Sequence, residues 1–168
     1  MSKAKETWKA EPDAHDYPAA ADYLSLLLAP PLVAVAVERL RSAELVHYKA
    51  KDLLRASGLP LLPVKDPDCA RDLREVRAGR KLSPVLLVRG EVDHGLPLTV
   101  ADGYHRICAS YHLNEDAEIP CRLAALEGRS GPSGGARDAS ARAGRTRPRG
   151  AGAHAATRRG GGRGASPG

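Results

Sequence analysis

The chain has 168 residues, a formal net charge of +6 at pH 7 and a pI near 9.5. The excess positive charge lies in residues 127–168, which hold nine arginines and two acids and sum to +7, so residues 1–126 sum to −1. The basic pI therefore does not indicate that the folded part binds nucleic acid. Residues 127–168 also contain no Leu, Ile, Val, Met, Phe, Tyr or Trp. With nothing to bury, this Gly/Arg-rich tail is expected to be disordered.

Three interpretations of the tail stay open. Its arginines favour an RGG-like arm that binds RNA through charge, although the interleaved aromatics of such arms are missing. It also has the composition of a plain disordered linker. Because nearly all its residues are Gly, Ala, Arg, Ser, Pro and Thr, we prefer the third interpretation, an out-of-frame extension of a GC-rich gene.

The cysteines and the apolar run Leu24–Val37 indicate in which cellular compartment the protein is expected. Cys69, Cys108 and Cys121 are odd in number and form no C-x-x-C motif, so neither a disulfide framework nor a zinc site is indicated. The apolar run Leu24–Val37 is too short to span a bilayer, and the acids that precede it are unlike a signal peptide. We expect a cytoplasmic protein that does not enter membranes.

The first 43 residues predict a flexible leader over 1–17 and a helical hairpin over 18–43. The hairpin consists of helices over 18–28 and 32–43, separated by Pro30 and Pro31. Its apolar segment Leu24–Val37 either covers a sheet or binds a protein partner or a second copy of the chain. The apolar positions expected to share a face are Tyr23, Leu24, Leu27 and Leu28 in the first helix, and Leu32, Val33, Val37 and Leu40 in the second.

Residues 44–126 alternate short apolar strands with helices, which predicts one small α+β domain with a mixed sheet. Gly58 and Gly79 are typical helix ends, and Asp66 followed by Pro67 is a typical helix start. The predicted strands are 45–49, 84–88, 96–101 and 118–123; the predicted helices are 51–57, 67–78 and 104–112.

The segment with the clearest chemistry is Asp102-Gly103-Tyr104-His105-Arg106, between a strand and a helix. Gly103 permits a tight turn that leaves backbone N–H groups open, and these amides and the helix dipole attract anions. His105 and Arg106 in the first turn would add charged donors for a phosphate. Many α/β proteins have such a turn without a ligand, so an architectural role stays open.

Asp102 has several interpretations: a general base, a cap of the following helix, or a residue that orients His105 or Arg106 or contacts a metal ion. It is our candidate catalytic residue, although no complete nucleophile–base set can be identified, and whether the chain is an enzyme stays open. No set of metal-binding residues is predicted, because His105 and His112 lie about 10 Å apart along a helix. Cys108 is expected to be a small buried residue rather than a reactive thiol.

The run Val100-Ala-Asp-Gly-Tyr-His-Arg-Ile-Cys-Ala-Ser110, continued by Ile119-Pro-Cys-Arg122, resembles the ParB/sulfiredoxin-like superfamily. ParB-type domains have a G-E-R-R-x-R-A run followed by an I-P-V strand. Sulfiredoxins have G-C-H-R, and some relatives linked to DNA modification have D-G-Q-H-R. The resemblance covers residues 45–124. It implies a compact α/β fold that binds a nucleotide or another phosphate against Gly103, His105 and Arg106, with Tyr104 in the same loop.

Departures from the family pattern limit what the resemblance implies. Tyr104 stands where sulfiredoxins have a nucleophilic cysteine, so sulfinic-acid reduction is not expected. Cys69 stands where sulfiredoxins often have a phosphate-binding lysine. The helix-turn-helix that follows the ParB domain has no counterpart in the Gly/Arg-rich tail, so sequence-specific DNA binding by this chain is not expected.

The sequence thus supports three hypotheses about function. The first is a nucleotide- or phosphate-binding module with weak NTPase or phosphotransfer activity, whose cofactor would be Mg²⁺ with a nucleoside triphosphate. The second is a non-enzymatic partner protein in which Leu24–Val37 is the interface and the loop is a relic. The third is a ParB-like nuclease, which would need acids besides Asp102; Glu91 and Asp93 are the nearest candidates in sequence.

Overall fold

A computed structural model describes residues 5–127, which contain five α-helices and one four-stranded mixed sheet. This confirms the predicted α+β class. In chain order the elements are α1 (Asp16–Leu24), α2 (Pro30–Ser42), β1 (Leu45–Lys49), α3 (Ala50–Ser57), α4 (Pro67–Arg77), β2 (Val85–Val88), a 3₁₀ turn (Val92–His94), β3 (Thr99–Asp102), α5 (Tyr104–Leu113) and β4 (Glu118–Ala124).

The strand order in the sheet is β1-β4-β2-β3. β2 runs parallel to β4, with Val85 beside Cys121, while the β1–β4 and β2–β3 pairs are antiparallel. All four residues of β2 are buried, because helices cover both faces of the sheet. A central strand covered on both sides reads in sequence as a short, continuous apolar run, as β2 does.

The two faces of the sheet have separate cores. Side chains alternate along a strand, so Val85 and Leu87 of β2 face one core and Leu86 and Val88 face the other. The first core is completed by α3, α4 and α5, through residues such as Leu53, Leu73 and Ile107. The second is completed by the helical hairpin, through Tyr17, Ala20, Leu24, Ala36 and Leu40. The hairpin therefore covers a sheet face.

The first helix differs from the expectation in its length and its buried face. It ends at Leu24, and the amides of Leu26 and Leu27 bond three residues back, to Tyr23 and Leu24, as in a tightened last turn. Leu24 is buried, but Tyr23 and Leu27 are exposed, so they do not share its face as predicted. The buried face is set by small Ala20 and by Tyr17, which the apolar pattern did not single out.

Several local signals are confirmed. The Asp66 carboxylate accepts hydrogen bonds from the amides of Asp68 and Cys69, both at 3.1 Å, and caps α4. Gly58 has a φ of 66° at the end of α3. β3 begins at Thr99 rather than Leu96, because Leu96 pairs back with Glu91 and Pro97 has no amide to donate.

The segment before α1 is hydrogen-bonded to the chain that leads into β2. The Lys9 amide donates to the Leu82 carbonyl and the Leu82 amide to the Thr7 carbonyl, each at 2.8 Å. The Asp13 amide donates to Ser83 Oγ at 2.9 Å, and Trp8 packs against the first core. The sequence predicted a flexible leader over 1–17; residues 7–16 differ because their partners lie about 70 residues further along.

Arg122 of β4 joins the hairpin to the sheet. Its guanidinium donates to the carbonyls of Leu40 and Arg41 and forms an ion pair with Glu11. These carbonyls belong to the last turn of α2, where helices leave acceptors without partners.

No helix within residues 5–127 is long and apolar enough to cross a membrane. Apart from Glu127, the predicted tail lies outside the described residues.

Candidate functional site

A cleft of about 430 Å³ opens at the start of α5. It lies between the beginning of α1, the side of α4, the residues that precede β2 and the end of β3. The residues that carry its chemistry include Asp16, Asp72, Ser83, Asp102, His105 and Arg106. The structure therefore brings most of the predicted loop to one concave surface, together with acids that the sequence did not place there.

Gly103 is the residue that precedes α5, and its φ is 102°. A Cβ atom here would lie 2.9 Å from Cγ2 of Val85, which is fully buried, so glycine is required both by conformation and by space. No side chain caps α5. Asp102 is therefore not the cap that one of our interpretations expected, and the first amides of α5 are left for another acceptor.

Arg106 is held by three acceptors of the protein itself. Its guanidinium donates to the Asp16 carboxylate at 3.2 Å, to the Ser83 carbonyl at 2.8 Å, and to the Asp102 carboxylate. Its side chain is largely buried. The sequence predicted that Arg106 binds phosphate; the structure places it as a clamp that holds Asp102 and the start of α1 together.

Asp16 is the buried centre of this clamp, with a side chain only 5% exposed. Besides the bond from Arg106, it accepts a hydrogen bond from Ser83 Oγ, and His15 Nε2 lies 3.4 Å from its other oxygen. Buried carboxylates need such partners, because an unpaired buried charge is costly. The clamp thus depends on residues from three distant parts of the chain.

His105 lies beside the start of α4. Its Nε2 atom lies 3.9 Å from Asp66 Oδ1 and 3.8 Å from Asp68 Oδ2. One ligand atom from each of these three residues lies within 4.8 Å of the others. The sequence predicted no metal site, but the fold brings together one imidazole and two carboxylates, which could hold a metal ion.

Tyr104 serves the architecture of the loop. Its hydroxyl donates to the Pro60 carbonyl, and partial burial raises the pKa of the phenol. His112 Nε2 lies 2.7 Å from the Leu62 carbonyl, so α5 fastens the extended segment that follows α3 at two points. Cys108 between them is fully buried, as predicted, and burial raises the pKa of its thiol.

Two carboxyl groups of the cleft have displaced pKa values. Burial raises the pKa of Asp102 above its ordinary value, while the charge of Arg106 opposes the shift. Burial also raises the pKa of Asp72, against the opposing charges of Arg71, Arg106 and His105. Buried acids with displaced pKa values are frequent in functional sites, although structural ion pairs displace them too.

The acids expected to support a nuclease lie elsewhere. Glu91 and Asp93 belong to the 3₁₀ turn region and do not line the cleft. Asp16 and Asp72 line it instead, and no local pattern in the sequence could have indicated them. Asp16 stands in a polar segment without periodicity, and Asp72 looks like one of several charged residues on α4.

Comparisons of the chain with protein-family models, with curated proteins and with solved structures found no match. The chemistry of the cleft therefore rests on its geometry. An uncapped helix start, a positive-φ glycine and nearby cationic side chains can bind an anion, and the carboxylates around them can bind a cation or hold the cations in place.

Proposed function

We propose that the chain is a ParB/sulfiredoxin-like domain that binds a nucleotide or another phosphate ligand in the cleft at the start of α5. The observation that carries the proposal is the contrast between two helix starts. The first amides of α4 are satisfied by Asp66, whereas α5 follows Gly103 and has no side-chain cap. Its open amides lie at the cleft, where the helix dipole favours an anion.

Lys81 and His105 are the side chains best suited to assist these amides. Lys81 lines the cleft, is exposed and forms no ion pair within residues 5–127, and His105 is half-exposed at the same loop. Lys9, by contrast, is paired with Asp13 at 2.7 Å. In this proposal Arg106 keeps the loop in shape, and Asp102 acts by holding Arg106.

The charge of the cleft supports a phosphate ligand that arrives with a cation. With its histidines neutral, the lining has four basic and five acidic residues, a formal sum of −1. A nucleoside triphosphate alone would be repelled by the carboxylates. Mg²⁺ bound to the triphosphate would reduce this repulsion, since it neutralises phosphate oxygens and is usually held by few protein ligands.

Thermal melting of the full chain with ATP, CTP and GTP, each with and without Mg²⁺, tests the proposal. A ligand at 100 times its Kd stabilises the folded state by about 2.7 kcal/mol. We expect one nucleotide to raise the melting temperature, and Lys81→Ala to reduce the shift. Lys65→Ala is the matched control, because Lys65 is also exposed but does not line the cleft. No shift with any nucleotide would refute the proposal.

One observation favours the alternative of a partner-binding protein. The turn between α1 and α2 exposes the adjacent residues Leu26 and Leu27 by 80% and 51%, and Tyr23 of α1 and Val35 of α2 are also exposed. Adjacent exposed apolar side chains often mark an interaction surface. Sedimentation velocity distinguishes the two functions: assembly that depends on concentration and is lost in Leu26→Asp, without any response to nucleotide, would favour the partner protein.

A further inference from the structure

The ligand atoms of His105, Asp66 and Asp68 have a geometry close to that of a metal site. Around a tetrahedral ion with bonds of about 2.1 Å, neighbouring ligand atoms lie roughly 3.4 Å apart. The His105 Nε2 atom lies 3.8 and 3.9 Å from one oxygen of each carboxylate. One ligand atom of each of the three residues lies within 4.8 Å of the others, so modest movements of the imidazole and of the carboxylates would bring all three onto one ion.

Contacts that do not involve the metal hold the two carboxylates in place. The Oδ1 atom of Asp66 accepts hydrogen bonds from the two amides that it caps, which fixes the carboxylate and leaves its Oδ2 atom as the oxygen available to an ion. The Oδ1 atom of Asp68 accepts a hydrogen bond from Arg71 at 2.7 Å, and its Oδ2 atom is the one nearer to His105. Each ligand therefore starts from a restrained position, which lowers the entropic cost of binding an ion.

Asp72 is a further acceptor on α4, one turn after Asp68. The Asp72 side chain lines the same cleft and is only 10% exposed, yet it accepts no hydrogen bond within residues 5–127. Arg71 Nε, its ion-pair partner, lies 3.7 Å away, longer than a hydrogen bond. The Asp72 carboxylate thus has room for a further donor, and water bound to a metal ion at the cluster is a donor of that kind.

We propose that Asp66, Asp68 and His105 bind one first-row divalent transition-metal ion, such as Mn²⁺ or Zn²⁺, beside the cleft that His105 lines. The imidazole favours these ions over Mg²⁺, which prefers oxygen ligands. Three protein ligands leave at least one coordination position open for water or another ligand. Binding of a phosphate to the open positions rests on the function proposed above; binding of the metal does not.

Isothermal titration of the full chain with Mn²⁺, and visible absorption with Co²⁺ as a spectroscopic substitute, test this site. We expect one ion per chain for the wild type. His105→Ala and Asp68→Asn should each weaken the binding at least tenfold while circular dichroism stays unchanged. The matched control is His15→Ala, a more exposed histidine of the same cleft that is not part of the cluster, and it should bind Mn²⁺ like the wild type.

Absence of saturable binding in the wild type, or equal loss in His15→Ala and His105→Ala, would overturn the metal site. A further titration with inorganic pyrophosphate, with and without Mn²⁺, separates the two proposals. Pyrophosphate that binds equally well with and without Mn²⁺ would leave the phosphate site and refute its link to the metal. Mn²⁺ binding without pyrophosphate binding would leave the metal site and count against the proposed function.

Discussion

Arg106 and Asp16 form an ion pair across 90 residues of sequence, with Nη1 and Oδ2 separated by 3.2 Å. Because Arg106 also donates to Asp102, one guanidinium neutralises two carboxylates and ties α1 to the loop before α5. The shape of the cleft therefore depends on the contact between Arg106 of α5 and Asp16 of α1.

Arg106→Ala should destabilise the protein by about 3–5 kcal/mol, because it leaves a buried and a largely buried carboxylate without their cation. Urea denaturation measures the loss. Arg55→Ala removes a surface ion pair with Asp52 and should cost at most about 0.5 kcal/mol. Equal costs for the two variants would show that the clamp adds nothing to stability.

Gly103→Ala should be more harmful than Gly58→Ala, although both glycines have positive φ. Gly58 has open space where a Cβ would stand, so its substitution costs only the backbone strain, about 1–2 kcal/mol. At Gly103 the Cβ also meets buried Val85 at 2.9 Å, and overpacking adds about 1–3 kcal/mol. Thermal unfolding of both variants provides the comparison. Similar losses of stability would show that β2 can shift Val85 at little cost.

The three cysteines should resist alkylation in the native protein. Burial raises the pKa of Cys69 to about 11 and that of Cys121 to about 12, and it also raises the pKa of Cys108. Because the thiolate is the reactive form, iodoacetamide at pH 8 should modify all three residues in denaturant and none without it. Mass spectrometry measures how many cysteines are alkylated and which ones. Rapid native modification of Cys108 would instead identify an accessible, activated thiol beside the loop.

Much of the local structure could be predicted because its causes lie within a few residues. The cap formed by Asp66, the helix end at Gly58 and the apolar run of β2 all follow from neighbours in sequence. The turn at Gly103 before α5 was predicted for the same reason.

The partners of the loop could not be predicted, since they are set by packing. Ser83 and Asp16 are 67 residues apart, and each is an ordinary polar residue in its own segment. The same limit applies to Arg106, because the sequence shows the donor but not the acceptors that the fold brings to it.

Asp72→Asn should stabilise the protein at pH 7 and have no such effect near pH 4. Burial raises the pKa of Asp72 in the folded state, so the folded state binds this proton more tightly than the unfolded state does. The favourable contribution of the protonated carboxyl is complete below the unfolded pKa of about 3.9 and is lost as the pH rises through the folded pKa. Asparagine is neutral at every pH and avoids that loss.

Melting temperatures of the wild type and Asp72→Asn, measured between pH 4 and pH 8 with a chelator present, test this expectation. The difference should grow with pH. Asp52→Asn, on the surface of α3, controls for the removal of one negative charge. A variant that is less stable than the wild type at pH 7 would mean that attraction to Arg71 and Arg106 outweighs the cost of burying the charge. The charged form of Asp72 would then be a stabilising partner of these two arginines.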